Sequence, residues 1–261
     1  MGRPVTPVDG RPRPWHISRW YNEMVGSAAD TDKFRAEYRA KSIGPRYSGW
    51  LHFAFTTLGS LAVIAFAISR VRQPSWQELL VLPIGFLVSN AAEYFGHRGP
   101  MHRLQRYLGV IFRRHSVEHH HFFTHDRMSY ESSRDFKMVL FPPVMLLFFL
   151  GGMATPIALI LFLLFSPNAG WLFVAIGVGY YLTYEWLHFA YHLPEDTFVG
   201  RFPPVRVLRQ HHRSHHNLAL MTRWNFNITF PICDRLFGTT YRRSPEGRLD
   251  PEAAAPAASQ Q

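Results

Sequence analysis

Thirteen of the fifteen histidines in this 261-residue chain fall in two short windows, residues 97–125 and 188–216, and each window directly follows a long apolar run. Neutral imidazole is a borderline ligand that suits iron, zinc, copper and nickel, so histidines this dense, with no accompanying cysteines, indicate a transition-metal site. One ion cannot use so many rings, which predicts a pair of ions. The chain must therefore fold so that two distant windows meet at a membrane surface.

The apolar residues are concentrated in blocks and the charges lie elsewhere, a pattern typical of an integral membrane protein. The formal net charge is +10. However, Arg and Lys gather beside apolar runs and histidines and form no stripe interleaved with aromatic side chains, so we expect no nucleic-acid partner. These cations are expected to contact the anionic lipids of a bilayer. The single cysteine, Cys233, excludes internal disulfides.

Four transmembrane helices are expected. Apolar segments at about residues 50–68 and 79–95 each approach the length that a bilayer requires. The stretch 138–187 is almost uncharged and long enough for two spans, with turn-forming residues at 166–170. An even number of crossings must separate the windows if both build one site. The sequence therefore predicts an all-α integral membrane protein with about four transmembrane helices and a cytoplasmic helical cap that holds a histidine-ligated dimetal site.

The side of the membrane follows from the distribution of arginines. They crowd the segments after the second expected span and near the C-terminus, whereas the turn at 166–170 is uncharged, which places the histidines in the cytoplasm. Arg70 and Arg72, in the linker between the first two spans, run against this rule. The expected parts are an N-terminal cytoplasmic segment at 1–49, a membrane domain at 50–245 and a disordered tail at 246–261.

Two octahedral or five-coordinate ions use about eight to ten protein ligands, and the spacing of the histidines selects ten. Pairs four residues apart share a helix face, as do the members of the H-x-x-H-H run that starts at His212. His97 and His102 are five apart, and a helix break at Gly99 and Pro100 is expected to bring their rings together. The predicted ligands are His97, His102, His115, His119, His120, His188, His192, His212, His215 and His216.

Six further residues are expected to serve as alternate ligands or as hydrogen-bond partners of the ligands. They are His121, His125, His211, Glu93, Glu118 and Glu185. The choice between His211 and His212 stays open, because His211 stands four residues before His215. The carboxylates lie close enough in sequence to accept imidazole N–H bonds, which would orient metal-bound rings.

The order of these motifs resembles the fatty acid hydroxylase and sterol desaturase superfamily of integral membrane di-iron enzymes. The resemblance covers roughly residues 77–241 and rests on H-x-x-x-x-H, a cluster containing H-H, a two-span hairpin, H-x-x-x-H and H-x-x-H-H. The segment 225–239, which ends in Cys233-Asp-Arg-Leu-Phe-Gly-Thr, is similar to the family's Trp-Asp-x-Leu-Phe-Gly-Thr. Two departures are that Cys233 replaces the Trp, and that three residues separate His115 from His119 where two are common.

The resemblance implies an oxidoreductase, a di-iron monooxygenase that uses dioxygen to hydroxylate a C–H bond of a fatty acyl or related lipid. Two iron ions are the implied cofactor, with zinc as an alternative occupant of the purified protein. The implied partners are the bilayer, the lipid substrate and a separate electron donor, because no haem-binding segment is evident. The resemblance leaves the oligomeric state open.

Several other functions compete with lipid hydroxylation. A lipid desaturase, a sterol or carotenoid oxygenase and an oxidative decarboxylase use the same superfamily chemistry. A histidine-rich metal transporter is an alternative from another class. Transport requires polar ligands inside the bilayer, and the interiors of the third and fourth expected spans contain no Asp, Glu, Lys, Arg or His. The sequence therefore favours the oxygenase.

Overall fold

The computed structural model describes residues 28–241, and these form helices with no β-strand among them. The expected disordered tail at 246–261 lies outside the described residues, as does the part of the expected N-terminal segment before residue 28. In chain order the helices are α1 (Ala28–Ser42), α2 (Gly49–Arg70), α3 (Trp76–Met101), α4 (109–122), α5 (Ser133–Leu164), α6 (Pro167–Tyr191), α7 (Pro203–His215) and α8 (Ile232–Leu236).

Three of these helices are long and apolar enough to cross a membrane: α2 with 22 residues, α3 with 26 and α5 with 32. In each, only 17% to 22% of the most apolar window is buried inside the protein. Most of their side chains therefore face outward, as expected of helices in contact with lipid. Leu58 and Leu163, which are 64% and 82% exposed, are examples. Three of the four expected spans are thus present as membrane-compatible helices.

Helix α6 occupies the place of the expected fourth span. Its 25 residues are enough to cross a bilayer, but it is not among the three helices that are also sufficiently apolar. It packs against α2, α3 and α5, and 16 of its residues are buried. A helix that contacts other helices on several sides needs less apolar surface for lipid, so side chains such as Tyr180 and Tyr184 are tolerated. Its crossing of the bilayer stays a prediction.

The turn between α5 and α6 lies where the sequence predicts it. Ser166 caps α6 by accepting a hydrogen bond from the Ala169 amide at 3.1 Å, and Pro167 occupies the first turn. Asn168 joins this turn to the α2–α3 linker, because it accepts from the Arg72 amide at 2.8 Å and donates to the Arg72 carbonyl at 2.9 Å. Both connections therefore lie at one end of the bundle, and the histidine windows begin at the other.

A cap of shorter helices and loops covers the histidine end. Helix α1 joins it through an aromatic core that contains Tyr38, Phe122, Phe136 and Phe189. The rings of Phe136 and Phe189 meet edge to face, with their centroids 4.8 Å apart. Such aromatic pairs add stability beyond the area they bury, and this core fastens the cap to the end of α6. The cap and the span ends together bury all ten predicted ligands.

Candidate metal centre

The structure brings the ten predicted ligands together as two groups of five. Within each group the candidate ligand nitrogens all lie within 4.8 Å of one another, and every ring is buried. His215 comes from the second window but joins the first group, and His119 makes the reverse exchange. The first group is His97, His102, His115, His120 and His215, and the second group is His119, His188, His192, His212 and His216. Neither group can therefore form until the two windows meet.

A widened helical turn at the end of α3 brings the first pair together. Residues His97–Met101 form a π-helical turn around Pro100, which has no backbone N–H to donate. The ring centroids of His97 and His102 lie 4.9 Å apart, with 33° between the ring planes. The irregularity expected from Gly99 and Pro100 is thus present, as a wider turn that continues the helix.

A second π-helical stretch, Arg113–His119, distributes the rings of α4 between the groups. His115 and His120 are five residues apart, the spacing of a π-helical hydrogen bond, and their Nε2 atoms lie 3.2 Å apart in the first group. His119 instead faces the second group, where its Nε2 lies 3.2 Å from that of His188. His115 and His119 therefore stack at 5.3 Å between centroids without sharing a group.

Regular helical spacing supplies the rest of the second group. His188 lies in the last turn of α6 and His192 caps the helix, and their ring centroids are 4.9 Å apart. His212 and His216, also four residues apart, have centroids 4.4 Å apart. The two groups are direct neighbours, since His216 stacks on His120 of the first group with centroids 4.4 Å apart.

The three alternate histidines lie outside both groups. The Nε2 atom of His211 lies 3.3 Å from an Asp234 carboxylate oxygen, so the structure places His212 and not His211 among the rings. His121 packs against the ring of Phe34 with centroids 5.9 Å apart. The side chain of His125 is 42% exposed and lies 3.2 Å from the aspartate that follows it.

Hydrogen bonds fix the tautomer of five rings. In each, Nδ1 faces a main-chain carbonyl oxygen, which only accepts, so Nδ1 carries the proton and Nε2 keeps its lone pair. The pairs are His97 with Phe226 at 2.5 Å, His119 with Met138 at 2.8 Å, His192 with Met128 at 2.6 Å, His215 with Trp224 at 2.9 Å, and His216 with Phe123. Every one of these rings therefore presents an unprotonated nitrogen to its group.

Two pairs of unprotonated nitrogens consequently face each other. In the second group, the Nε2 atoms of His119 and His216 are 3.2 Å apart. In the first group, those of His102 and His215 are 2.9 Å apart. The Ser116 hydroxyl donates its proton to the Met101 carbonyl at 2.7 Å, so it can only accept from His102 Nδ1, which lies 2.9 Å away. Nδ1 of His102 therefore also carries the proton. Two lone pairs at these distances repel unless a cation binds them, so each group fits a metal ion.

The charge state of the rings also suits a metal. Burial lowers the pKa of His120 and His212 well below the ordinary 6.5, and the neighbouring imidazoles lower it further. Neutral imidazole is the form that binds metals. Both groups consist of histidines alone. This all-nitrogen donor set suits iron, zinc, copper or nickel and disfavours magnesium and calcium.

The three glutamates expected to orient the rings make no hydrogen bond to any of the ten, so that prediction is wrong. Nearness along the chain does not decide where a side chain points, and each carboxylate has other partners. Glu93 accepts from the Tyr180 hydroxyl at 2.5 Å, Glu118 from Arg114 at 3.5 Å and Glu185 from the Phe141 amide at 3.2 Å. Main-chain carbonyls take the orienting role instead. Sequence reasoning missed them because every residue has a carbonyl and no residue type marks the ones that are used.

The fold and site define a helical membrane protein in which two adjacent histidine groups are able to hold metal ions. The family model for fatty acid hydroxylases matches residues 82–239, more than half of the chain, and the chain belongs to this family. The match contains all ten grouped histidines and excludes α1 and α2. Membership implies an oxidoreductase and suggests oxygenase chemistry on membrane lipids. No curated protein and no solved structure matches the chain.

Proposed function

We propose that this protein is a membrane-bound di-iron oxygenase that hydroxylates a C–H bond of a fatty acyl or related lipid, with dioxygen as oxidant and electrons from a separate protein. One observation carries the proposal: unprotonated Nε2 atoms face each other at 2.9 Å in the first group and at 3.2 Å in the second. A cation in each group relieves this repulsion. Membership of the fatty acid hydroxylase family favours iron over the other metals that imidazole suits.

Bound iron would supply the activation of dioxygen, chemistry that no amino-acid side chain provides. In the overall reaction one oxygen atom enters the C–H bond, and the other leaves as water after taking up electrons and protons. The protein's own residues contribute position and shielding. The carbonyls of residues such as Phe226 and Met138 hold the imidazoles in the metal-binding tautomer, and burial of both groups keeps bulk water away.

We propose further that α6 crosses the bilayer, that the site is cytoplasmic and that the substrate enters from the membrane. Both windows meet at one end of the bundle, and α5 provides one crossing between them, so α6 has to return the chain. Gln73, in the linker at the opposite end, should then lie on the non-cytoplasmic side of the membrane. A cysteine introduced there (Gln73→Cys) should react with a membrane-impermeant maleimide only after detergent opens sealed vesicles whose cytoplasmic face points outward, and reaction in the sealed vesicles would contradict this topology.

The proposed reaction is tested by measuring metal content and lipid products together. We expect the detergent-purified protein to contain about two irons per chain, one for each group, and a lipid in expressing cells to gain one oxygen atom. His188→Ala and His215→Ala, each removing one ring from a different group, should abolish the product in folded protein. His125→Ala is the matched control, because His125 lies outside both groups.

Three outcomes would contradict this proposal. Full activity of the His188→Ala or His215→Ala protein would show that the histidine groups are not needed for the reaction. Loss of two hydrogens from a lipid, in place of a gain of oxygen, would identify a desaturase. Bound metal with no change in any lipid would leave the groups as metal sites without the proposed reaction.

A further inference from the structure

The carbonyls that orient the two histidine groups come from two separate segments. The first group uses the loop that follows α7, and the second uses the segment between α4 and α5 together with the start of α5. The carbonyls belong to Trp224 and Phe226 for the first group, and to Phe123, Met128, Met138 and Val139 for the second. A buried charged side chain lies at the centre of the hydrogen bonds of each segment, Asp234 in the first and Arg35 in the second.

Asp234 reaches His97 through a single peptide group. Its fully buried carboxylate accepts the Phe226 amide at 2.9 Å and the Asn227 amide at 2.8 Å. In a trans peptide the N–H and the C=O point in opposite directions. The peptide that joins Phe226 to Asn227 therefore donates to Asp234 on one side and accepts from His97 Nδ1 at 2.5 Å on the other. A carboxylate that orients a ring usually bonds it directly, and here a peptide group lies between them.

The same carboxylate reaches His215 through Thr239. Asp234 accepts the Thr239 hydroxyl at 2.7 Å, and its main-chain carbonyl accepts the Thr239 amide at 2.8 Å. The Thr239 carbonyl in turn accepts the Asn225 amide at 2.8 Å. The other side of that peptide is the Trp224 carbonyl, which accepts from His215 Nδ1 at 2.9 Å. Asp234 thus fixes two peptide groups that orient two rings of the first group.

The next two amides of this loop go to a second carboxylate. Glu93 of α3 accepts the Ile228 amide at 2.6 Å and the Thr229 amide at 3.1 Å. Two carboxylates thus bind four successive backbone amides, 226–229. The loop is therefore attached to α3, which also carries His97 in its last turn.

Arg35 of α1 holds the second segment. Its side chain is only 2% exposed and donates to the Phe122 carbonyl at 2.7 Å, the Arg127 carbonyl at 2.5 Å and the Glu131 carboxylate at 2.8 Å. The forked guanidinium can bind several acceptors at once in a fixed geometry, which an ammonium group cannot match. Helix α1 lies outside the residues that match the family model.

Both carbonyls bound by Arg35 precede a carbonyl that orients the second group. Phe123 follows Phe122 and serves His216, and Met128 follows Arg127 and serves His192 at 2.6 Å. The two positions are linked by a tight turn, in which the Arg127 amide donates to the Thr124 carbonyl at 2.9 Å. Arg35 therefore ties together the two arms of the turn that holds these rings.

We propose that Asp234 and Arg35 are positioning residues, each for one of the two metal sites, so that α1 forms part of the second site. This inference rests on the proposed pair of metal ions. Neither side chain belongs to a histidine group, and the two act on different segments. Loss of Asp234 should weaken the first site alone, and loss of Arg35 should weaken the second site alone.

The test is the number and affinity of ions per chain in the full-length protein, stripped with a chelator and reloaded with Fe²⁺ or Zn²⁺. Loss of a direct partner of a metal ligand typically lowers metal affinity about 10–100-fold, and for side chains that act through the backbone we expect the lower end, about tenfold. Asp234→Asn and Arg35→Met should therefore each retain about one ion at a concentration that just fills both sites of the unchanged protein. The controls are Asp126→Asn, whose side chain is 68% exposed, and Arg134→Met, whose side chain donates to the Ile43 carbonyl at 2.9 Å.

Ligand variants identify the site that is lost. In the Asp234→Asn background, His188→Ala should remove the remaining ion and His115→Ala should change nothing, because these rings belong to the second and first groups. In the Arg35→Met background, His115→Ala should remove the remaining ion and His188→Ala should change nothing. A merely structural role would weaken both sites together and would not produce this reversal.

Milder variants keep the test decisive if a buried substitution prevents folding. Glu131→Gln changes a half-exposed partner of Arg35, and Thr239→Val removes one hydroxyl from Asp234. Each should weaken only its own site. Wild-type affinity at both sites in all of these variants, or equal weakening of both sites, would overturn the inference. An unchanged protein that binds neither Fe²⁺ nor Zn²⁺ would instead overturn the proposed metal pair.

Discussion

Gly49, the first residue of α2, lies directly against the start of α5, and we expect Gly49→Ala to disturb the second histidine group. An added Cβ atom would lie 1.8 Å from the Ser133 carbonyl oxygen and 2.8 Å from the Phe136 ring. Ordinary van der Waals contact begins at 3.4 Å, so Gly49 and Ser133 would have to separate by about 1.6 Å. The Met138 carbonyl in the same segment lies 2.8 Å from His119 Nδ1, and a shift of that size would break this hydrogen bond.

The expected loss of stability is about 3 kcal/mol, the upper end of the usual range for overpacked sites, because the obstructing atom belongs to the backbone and cannot rotate away. For a chain of this size each kcal/mol corresponds to about 2–4 °C, so the thermal midpoint should fall by about 6–12 °C. An alanine that replaces a helical glycine where there is room has the opposite effect and stabilises by about 0.5–1 kcal/mol.

Gly179→Ala is the matched control for this prediction. Gly179 lies inside α6, and nothing stands within 4 Å of a Cβ atom added there. Thermal unfolding in detergent, followed by tryptophan fluorescence, and the number of ions per chain should be measured for both variants. We expect a lower midpoint and a weakened second site only for Gly49→Ala. A Gly49→Ala protein as stable as the control, with both ions bound, would refute the reasoning.

Three further predictions concern the stability of the capped end. Chelation should lower the thermal midpoint, because an ion that binds only the folded chain contributes about 2.7 kcal/mol at a hundredfold excess over its dissociation constant, and no shift would count against paired metal sites. In the chelated protein, burial lowers the pKa of His120 and His212 well below 6.5. The unfolded chain therefore binds more protons than the folded chain below pH 6.5, so the thermal midpoint should fall as the pH is lowered from about 7 to about 5. A thermal midpoint that does not change with pH would contradict this. Phe136→Ala removes a ring whose centroid lies 4.8 Å from that of Phe189 and 5.0 Å from that of Trp50, and should cost about 3–5 kcal/mol in thermal unfolding. A cost below about 1 kcal/mol would show that this ring is not part of a packed core.

Much of the helical framework could be predicted because it depends on local properties of the chain. The apolar runs that become α2 and α3 were evident from length and composition, and the turn at Ser166 was evident from its residue types. The central position of α6 was not evident, because burial by α2, α3 and α5 lets it carry more polar residues than a lipid-facing span. The link between α1 and the site through Arg35 could not be predicted from the sequence either, because it joins residues about 90 positions apart.

The sequence by itself determined the kind and number of donor atoms, because only histidine supplies neutral imidazole and its spacing along the helices can be counted. Only the tertiary structure decided how the ten rings divide. His115 and His119 would share a face of a regular helix but serve different groups, since a π-helical stretch pairs His115 with His120 instead. His97 is oriented by the carbonyl of Phe226, 129 residues away. Carbonyls occur at every residue, so their role becomes visible only when folding brings one of them to a ring.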